Sequence, residues 1–211
     1  MQMKKLGVLL LLTGFIMIAW NGYSFWQQTQ AVATYSTEKV PEPYKDWDRT
    51  AYQQELPIAE KDVTDTKKAP APVPEYNTGD KVGTLNIPLI GQQYEVYWGT
   101  GIDTLKQGVG MYDSEWTVTP DQSGHVVLAG HRDTVFRQLG KLQEGDHLYV
   151  DYEDKTYDYQ IRKIWITDED DRTVIVNKDK PTLTLITCHP FDFIGSAPDR
   201  YIVQAELVSA E

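Results

Sequence analysis

The distribution of apolar and polar residues divides the chain into three parts. Residues 6–20 form an almost unbroken apolar run, residues 27–79 are polar and rich in proline, and short runs of alternating apolar and polar residues fill the chain from residue 80 onward. Alternation with a period of two is typical of strands that bury one face. The pattern therefore predicts an N-terminal apolar helix, an extended linker and a β-domain.

Residues 1–26 are interpreted as a cytoplasmic start followed by a transmembrane signal-anchor. The apolar run of about fifteen residues is slightly short for a spanning helix, but Phe25 and Trp26 extend it with residues that favour the membrane interface. Lys4 and Lys5 predict a cytoplasmic N-terminus, and hence a single-pass protein of the cell membrane with the rest of the chain outside. The alternative is a cleaved signal peptide ending near Ala31-Val32-Ala33. We favour the uncleaved anchor, because bulky aromatic residues separate this pattern from the apolar run.

Residues 27–79 predict an extracellular linker. Six prolines interrupt a charged stretch that has little apolar periodicity. The segment 67–74 is expected to be extended, polyproline-like chain, with a rise of about 3.1 Å per residue.

Residues 80–211 predict an all-β domain with short helical inserts at Asp103–Gln107 and Asp133–Leu139. Turn-forming residues separate eight strand-like runs. A closed eight-stranded β-barrel would remove exposed strand edges, and a β-sandwich is the alternative. The alternation between Thr156 and Ile166 shifts by one residue near Lys163, which predicts a β-bulge. The eight predicted strands are Lys81–Ile90, Gln93–Trp98, Glu115–Thr119, His125–Ala129, Asp146–Tyr152, Thr156–Ile166, Thr182–Thr187 and Arg200–Val208.

The charge of the chain argues against one class of partner. The net charge is −11, and nearly all of it lies after residue 79. So acidic a domain would repel nucleic acid, and no nucleic-acid partner is predicted.

Cys188 is the candidate nucleophile. It is the only cysteine of the chain and therefore has no intrachain disulfide partner, although cysteines of exported proteins usually pair. It ends the apolar run 182–188, and Pro190 cannot continue a central strand. The sulfur is therefore expected at a strand end, where a reactive group can be reached.

A cysteine nucleophile needs a proton donor and a positive group for the developing oxyanion. Of the four histidines, His131 is the best placed, because it follows the strand His125–Ala129 and a glycine. Arg200, at the start of the last predicted strand, is the candidate positive group. The alternative for Arg200 is a surface ion pair with Asp199 or Asp192.

The sequence 184–188, Thr-Leu-Ile-Thr-Cys, matches the Thr-Leu-x-Thr-Cys signature of sortases, the cysteine transpeptidases of Gram-positive cell surfaces. The segments around His131 and Arg200 fall where that family keeps its histidine and arginine, and the whole stretch 80–211 resembles the family, most closely its class D. The resemblance implies an eight-stranded barrel and the catalytic residues His131, Cys188 and Arg200. It also implies that Cys188 attacks the threonine carbonyl of a Leu-Pro-x-Thr-Gly/Ala-like sorting signal and forms a thioacyl enzyme. The implied partners are surface proteins bearing a C-terminal sorting signal and an amine acceptor of peptidoglycan or another surface protein.

Three other functions stay open from the sequence: an exported cysteine hydrolase, an L,D-transpeptidase and a non-catalytic tethered binding module. L,D-transpeptidases carry a Ser-x-Gly-Cys stretch, whereas Ile186 and Thr187 precede this cysteine. Two carboxylate clusters, Glu169-Asp170-Asp171 and Glu144 with Asp146, could hold calcium, as in some sortases. Solvated loop charge is the simpler interpretation, so no metal and no cofactor are predicted.

Overall fold

The computed structural model describes residues 2–35, 76–191, 195 and 197–211, so most of the predicted linker lies outside the described residues. Helix α1 spans Gln2–Thr29. Its segment Lys5–Thr29, with a mean hydropathy of 1.7, is the one helix in this part of the chain that is long and apolar enough to cross a membrane.

Within the described residues, the other strands and α-helices are nine strands and one short α-helix. They follow in the order β1 (Val32–Thr34), β2 (Lys81–Ile87), β3 (Gln92–Trp98), α2 (Ile102–Gln107), β4 (Val109–Met111), β5 (His125–Ala129), β6 (His147–Tyr152), β7 (Lys155–Asp168), β8 (Thr182–His189) and β9 (Asp199–Ala210).

Strands β2 to β9 close into an eight-stranded barrel. Neighbouring strands follow the order β3-β2-β6-β7-β9-β8-β5-β4, and β4 pairs back onto β3 in parallel, which closes the sheet. Closure removes the free edges that an open sheet would expose. The predicted barrel is therefore confirmed, and the alternative β-sandwich was wrong.

Strand β1 adds a ninth strand immediately after α1. It pairs antiparallel with the first half of β3, with Val32 opposite Tyr94 and Thr34 opposite Gln92, and β4 pairs with the second half of the same edge. Val32 packs against the core cluster of the barrel. No strand was predicted in this segment.

Two predicted elements, one strand and one helix, are absent from the structure. Glu115–Thr119 is not a strand, and the strand that occupies this part of the barrel is the three-residue β4, which was not predicted. The predicted helix Asp133–Leu139 was also wrong, since residues 132–138 form turns that lead into a single 3₁₀ turn at Leu139–Lys141. The predicted bulge is confirmed, because the β7–β9 register shifts between Ile161 and Lys163.

The barrel interior is filled by alternate side chains of the strands and by Phe136, which lies in the segment after β5. The Phe136 ring meets Tyr94 edge-on, with ring centroids 5.7 Å apart. A Cβ atom at Gly130 would lie 2.8 Å from Cδ2 of this ring, so the close approach requires glycine. The glycine directly before His131 thus leaves room for the Phe136 ring.

Candidate functional site

Cys188 lies near the end of β8 and points away from the barrel interior. Leu183 and Leu185 belong to the core, and side chains alternate along a strand, so Cys188 shares the outer face with Thr184 and Ile186. The thiol is half-buried and free. The sulfur therefore stands on the outer wall of the barrel, at a strand end, as predicted from the sequence.

Arg200 lies directly across from Cys188. Strands β8 and β9 are antiparallel and pair Cys188 with Arg200, so both side chains project from the same face. This register places the start of β9 beside the end of β8.

The end of β5, two residues before His131, lies on the other side of Cys188. Strand β5 runs parallel to β8 and pairs Ala129 with Ile186. Just beyond this pair, the Gly130 N–H donates to the Ile186 carbonyl at 3.1 Å, and the Thr187 hydroxyl donates to the Gly130 carbonyl at 2.7 Å. Extended by two residues past the last pair, this register predicts that His131 lies beside Cys188 on the outer face. The strand order β5-β8-β9 thus sets Cys188 between Arg200 and the end of β5.

The other histidines have different surroundings. His189 projects to the face opposite Cys188, where it stacks on Tyr201 with ring centroids 6.2 Å apart and lies 4.0 Å from the Asp199 carboxylate. On β6, three strands from β8, the Nδ1 of His147 is 2.7 Å from the Asp158 carboxylate. Neither the His189 ring nor the His147 ring lies beside the Cys188 thiol.

His125 is buried on the outer face, where it attaches the segment between β7 and β8 to the barrel. Its Nδ1 lies 2.8 Å from the Val176 carbonyl, and its Nε2 lies 2.7 Å from the Thr184 hydroxyl. Since a carbonyl can only accept, Nδ1 carries the proton, and Nε2 of the neutral ring accepts from Thr184. Burial lowers the pKa of His125, the Val176 carbonyl opposes this shift, and the charge of Lys178 adds to it.

The guanidinium of Arg200 has three described partners. Its Nη1 donates to the carbonyls of Ala197 at 3.0 Å and Asp199 at 3.1 Å, and its Nη2 donates to the Glu169 carboxylate at 2.9 Å. The alternative prediction of an ion pair with the Asp199 carboxylate was wrong, and Asp192 lies outside the described residues. Glu169 was not predicted as a partner, because it precedes Arg200 by a whole strand and no local pattern connects the two.

Arg132, which follows His131, was also missed. Its side chain is buried and donates from Nη1 to the Pro190 carbonyl and from Nη2 to the Gly195 carbonyl, both at 2.8 Å. Both carbonyls belong to the connection from β8 to β9. Arg132 therefore links the segment that follows His131 to the β8–β9 connection, which follows Cys188.

The two predicted carboxylate clusters make separate contacts. Glu169 pairs with Arg200, Asp171 accepts hydrogen bonds from Thr167 and Thr173, and Asp146 accepts one from the Gln143 N–H. Across the described residues, no group of three or more His, Cys, Asp or Glu side chains is arranged to hold a metal ion.

Comparison with known proteins identifies the domain. Residues 85–208, which include His131, Cys188 and Arg200, match the Sortase domain family model. The chain belongs to the sortase family. Sortase D of Bacillus subtilis is 41% identical over 133 residues, and this match spans 63% of the chain and 66% of the relative's own length.

Two solved sortase structures resemble the fold. The catalytic domain of Bacillus anthracis SrtD is 56% identical and has a TM-score of 0.57, covering 64% of this chain and 92% of that one. Clostridium perfringens sortase C, solved with the C-terminal cell wall sorting motif, is 30% identical with a TM-score of 0.57, covering 64% of this chain and 74% of that one. The similarity to Sortase D and SrtD agrees with the predicted likeness to class D.

Proposed function

We propose that this sortase is a transpeptidase that uses Cys188, His131 and Arg200 to cleave a Leu-Pro-x-Thr-Gly/Ala-like sorting signal after threonine and join the protein to a cell-wall amine. The observation that carries the proposal is the strand order β5-β8-β9, in which Cys188 has Arg200 as its cross-strand partner and the end of β5, two residues before His131, on its other side. The sorting motif in the related sortase C structure supports the substrate class.

The first half of the reaction transfers the acyl group to the enzyme. The Cys188 thiolate attacks the threonine carbonyl carbon, and a C–S bond forms as the carbonyl becomes an oxyanion. The Arg200 guanidinium hydrogen-bonds to this oxyanion or to the sorting peptide. Protonated His131 gives its proton to the departing amine as the C–N bond breaks, which leaves a thioester.

The second half releases the acyl group to a new amine. An amine of peptidoglycan, or of another surface protein, attacks the thioester carbonyl and His131 takes its proton, so that the thiolate leaves and the starting state returns. A thioester favours this outcome because it reacts more readily with an amine than an ordinary ester does. The proposed chemistry needs no metal and no cofactor.

The proposed location is the outer side of the cell membrane. The apolar helix Lys5–Thr29 is long enough to span the bilayer, and Lys4 and Lys5 favour a cytoplasmic N-terminus. The catalytic domain would then meet surface proteins as they emerge from the membrane.

The function is tested with the full chain in detergent, a Leu-Pro-x-Thr-Gly peptide and triglycine. We expect a transfer product, no product with Cys188→Ala, and at least about a hundredfold loss with His131→Ala or Arg200→Ala, because each removes a group that acts in the transition state. His147→Ala, on a distant strand, is the matched control and should retain transfer. Thermal melts of the three site variants should stay close to that of the unmodified protein.

Three results would contradict the proposal. Cleavage by water without transfer would identify a hydrolase, and reaction only with peptidoglycan stem peptides would identify an L,D-transpeptidase. Binding without any Cys188-dependent reaction on sorting peptides would identify a binding module.

A further inference from the structure

The acidic residue that contacts Arg200 lies outside the proposed catalytic set. Glu169 follows the last paired residue of β7, and its carboxylate is 2.9 Å from Nη2 of Arg200. Strand β7 pairs Thr167 with Arg200, and β8 pairs Cys188 with Arg200, so these three side chains form a row on one face of the sheet. Glu169 lies two residues beyond Thr167, in the turn that follows β7.

The backbone holds Glu169 in place independently of its side chain. Its N–H donates to the Pro198 carbonyl at 3.0 Å, one residue beyond the final β7–β9 pair of Asp168 with Asp199. The carboxylate therefore starts from a fixed point beside the first residues of β9. A carboxylate fixed in this way can set the direction of a flexible arginine side chain.

The described contacts of Arg200 use only some of the N–H donors of its guanidinium. Two carbonyls bond to Nη1 and the carboxylate bonds to Nη2, and within the described parts of the chain Nε has no partner. A guanidinium has five N–H donors in one plane, so these bonds leave at least two for a substrate oxygen. The Arg200 guanidinium is thus oriented in advance, and some of its N–H donors are still available.

Stability does not account for the Glu169–Arg200 pair. The side chains are 51% and 28% exposed, and ion pairs this accessible contribute little to folding because water and salt screen them. Holding a donor in position beforehand does matter for catalysis. No conformational entropy is then lost in orienting the donor during the reaction.

We propose that Glu169 is a positioning residue that orients the Arg200 guanidinium beside Cys188 for the transferring acyl group. Glu169 acts through Arg200 and does not itself touch the substrate. This inference rests on the proposed function for its kinetic consequence, whereas the orientation of Arg200 can be measured without any substrate.

The kinetic test compares Glu169→Ala, Glu169→Gln and Asp170→Ala in the full chain in detergent, with the Leu-Pro-x-Thr-Gly peptide and triglycine. We expect Glu169→Ala to lower kcat/KM by about tenfold and to change the same parameter, kcat or KM, that Arg200→Ala changes. Glu169→Gln retains an acceptor oxygen for Nη2 and should stay within about threefold of the unmodified protein. Asp170→Ala, the neighbouring exposed carboxylate, should have no effect.

A double variant tests whether Glu169 acts through Arg200. In an Arg200→Ala background, Glu169→Ala should cause no further loss, because its target is gone. Full activity of Glu169→Ala, an additive loss in the double variant, or faster transfer by Glu169→Ala would each overturn the inference.

A measurement without substrate separates this inference from the proposed function. The Nε–H of Arg200, followed by side-chain ¹⁵N relaxation, should be ordered in the unmodified protein and in Glu169→Gln, and mobile in Glu169→Ala. An equally ordered Arg200 in Glu169→Ala would overturn the positioning role. Absence of transfer by the unmodified protein, with Arg200 still released in Glu169→Ala, would overturn the function and leave the positioning role intact.

Discussion

At the scale of single residues, the site depends on which face each side chain takes. Cys188 and His189 are adjacent in the sequence, yet strand alternation sends the thiol to the outer face and the imidazole to the other. Strand pairing instead brings the end of β5, two residues before the more distant His131, next to β8. Adjacency in the sequence is therefore a poor guide to which side chains share a face of a β-barrel.

His125 illustrates a buried histidine that has a structural role. Its two ring nitrogens join the Val176 carbonyl and the Thr184 hydroxyl, and it thereby holds the β7–β8 connection against the outer wall near the site. The neutral ring satisfies both partners, and burial disfavours the charged form.

The stability of the protein should accordingly depend on the protonation of His125. Because burial lowers its pKa in the folded state, the unfolded chain binds the proton more readily, so its stabilising contribution is present above about pH 6.5 and is lost as the pH falls. At pH 7.5 we expect His125→Ala to lower the free energy of unfolding by about 2 kcal/mol, and by less at pH 5. Urea unfolding at both pH values measures the difference. If His125→Ala lowered the free energy of unfolding equally at pH 5 and pH 7.5, this account would be contradicted.

At the scale of elements, β1 changes how the domain is joined to the N-terminal helix. Only Gln30 and Ala31 separate the end of α1 from β1, and β1 pairs with β3 of the barrel. The proline-rich segment that was predicted to be a spacer follows this strand. The first contact of the chain with the barrel therefore comes within residues 27–79, all of which were predicted to be linker.

The β1–β3 pairing can be tested with two proline substitutions. The Tyr35 N–H donates to the Gly91 carbonyl, so by alternation the Ala33 N–H also points toward β3 and the Thr34 N–H points away. We expect Ala33→Pro to lower the free energy of unfolding by about 1 kcal/mol and to remove hydrogen-exchange protection at Tyr35. Thr34→Pro is the matched control and should retain both. Equal loss in the two variants would argue against the observed register.

Among the elements, long strands were predictable and short ones were not. Strand β5 was predicted with its observed ends, His125 and Ala129, because turn-forming residues flank a run of apolar residues. Strand β4 has only three residues, one of them glycine, and exists because β3 and β5 lie on either side of it. The predicted strand Glu115–Thr119 has suitable residues, but they form a turn in which the Thr117 hydroxyl donates to the Tyr112 carbonyl.

At the scale of the whole molecule, the arrangement of helix, linker and barrel predicts a membrane protein with an external catalytic domain. In intact cells we expect a C-terminal tag to be cleaved by added protease and an N-terminal tag to be protected, because the basic residues before the helix favour the cytoplasm. The protein should stay with the membrane fraction in alkaline carbonate. A mature protein that begins after Ala33 would instead identify a cleaved signal peptide.

The sequence by itself determined the class of fold and supplied the candidate nucleophile and the other two side chains of the proposed chemistry. These features are recorded locally, in period-two alternation, in a lone thiol at the end of an apolar run and in short motifs around His131 and Arg200. Only the tertiary structure decided that β5 and β9 flank β8, that β1 joins the barrel, that Glu169 contacts Arg200 and that Arg132 contacts the β8–β9 connection. The physical reason is that strand order and side-chain contacts depend on pairings between distant segments, and no local pattern encodes which segments will meet.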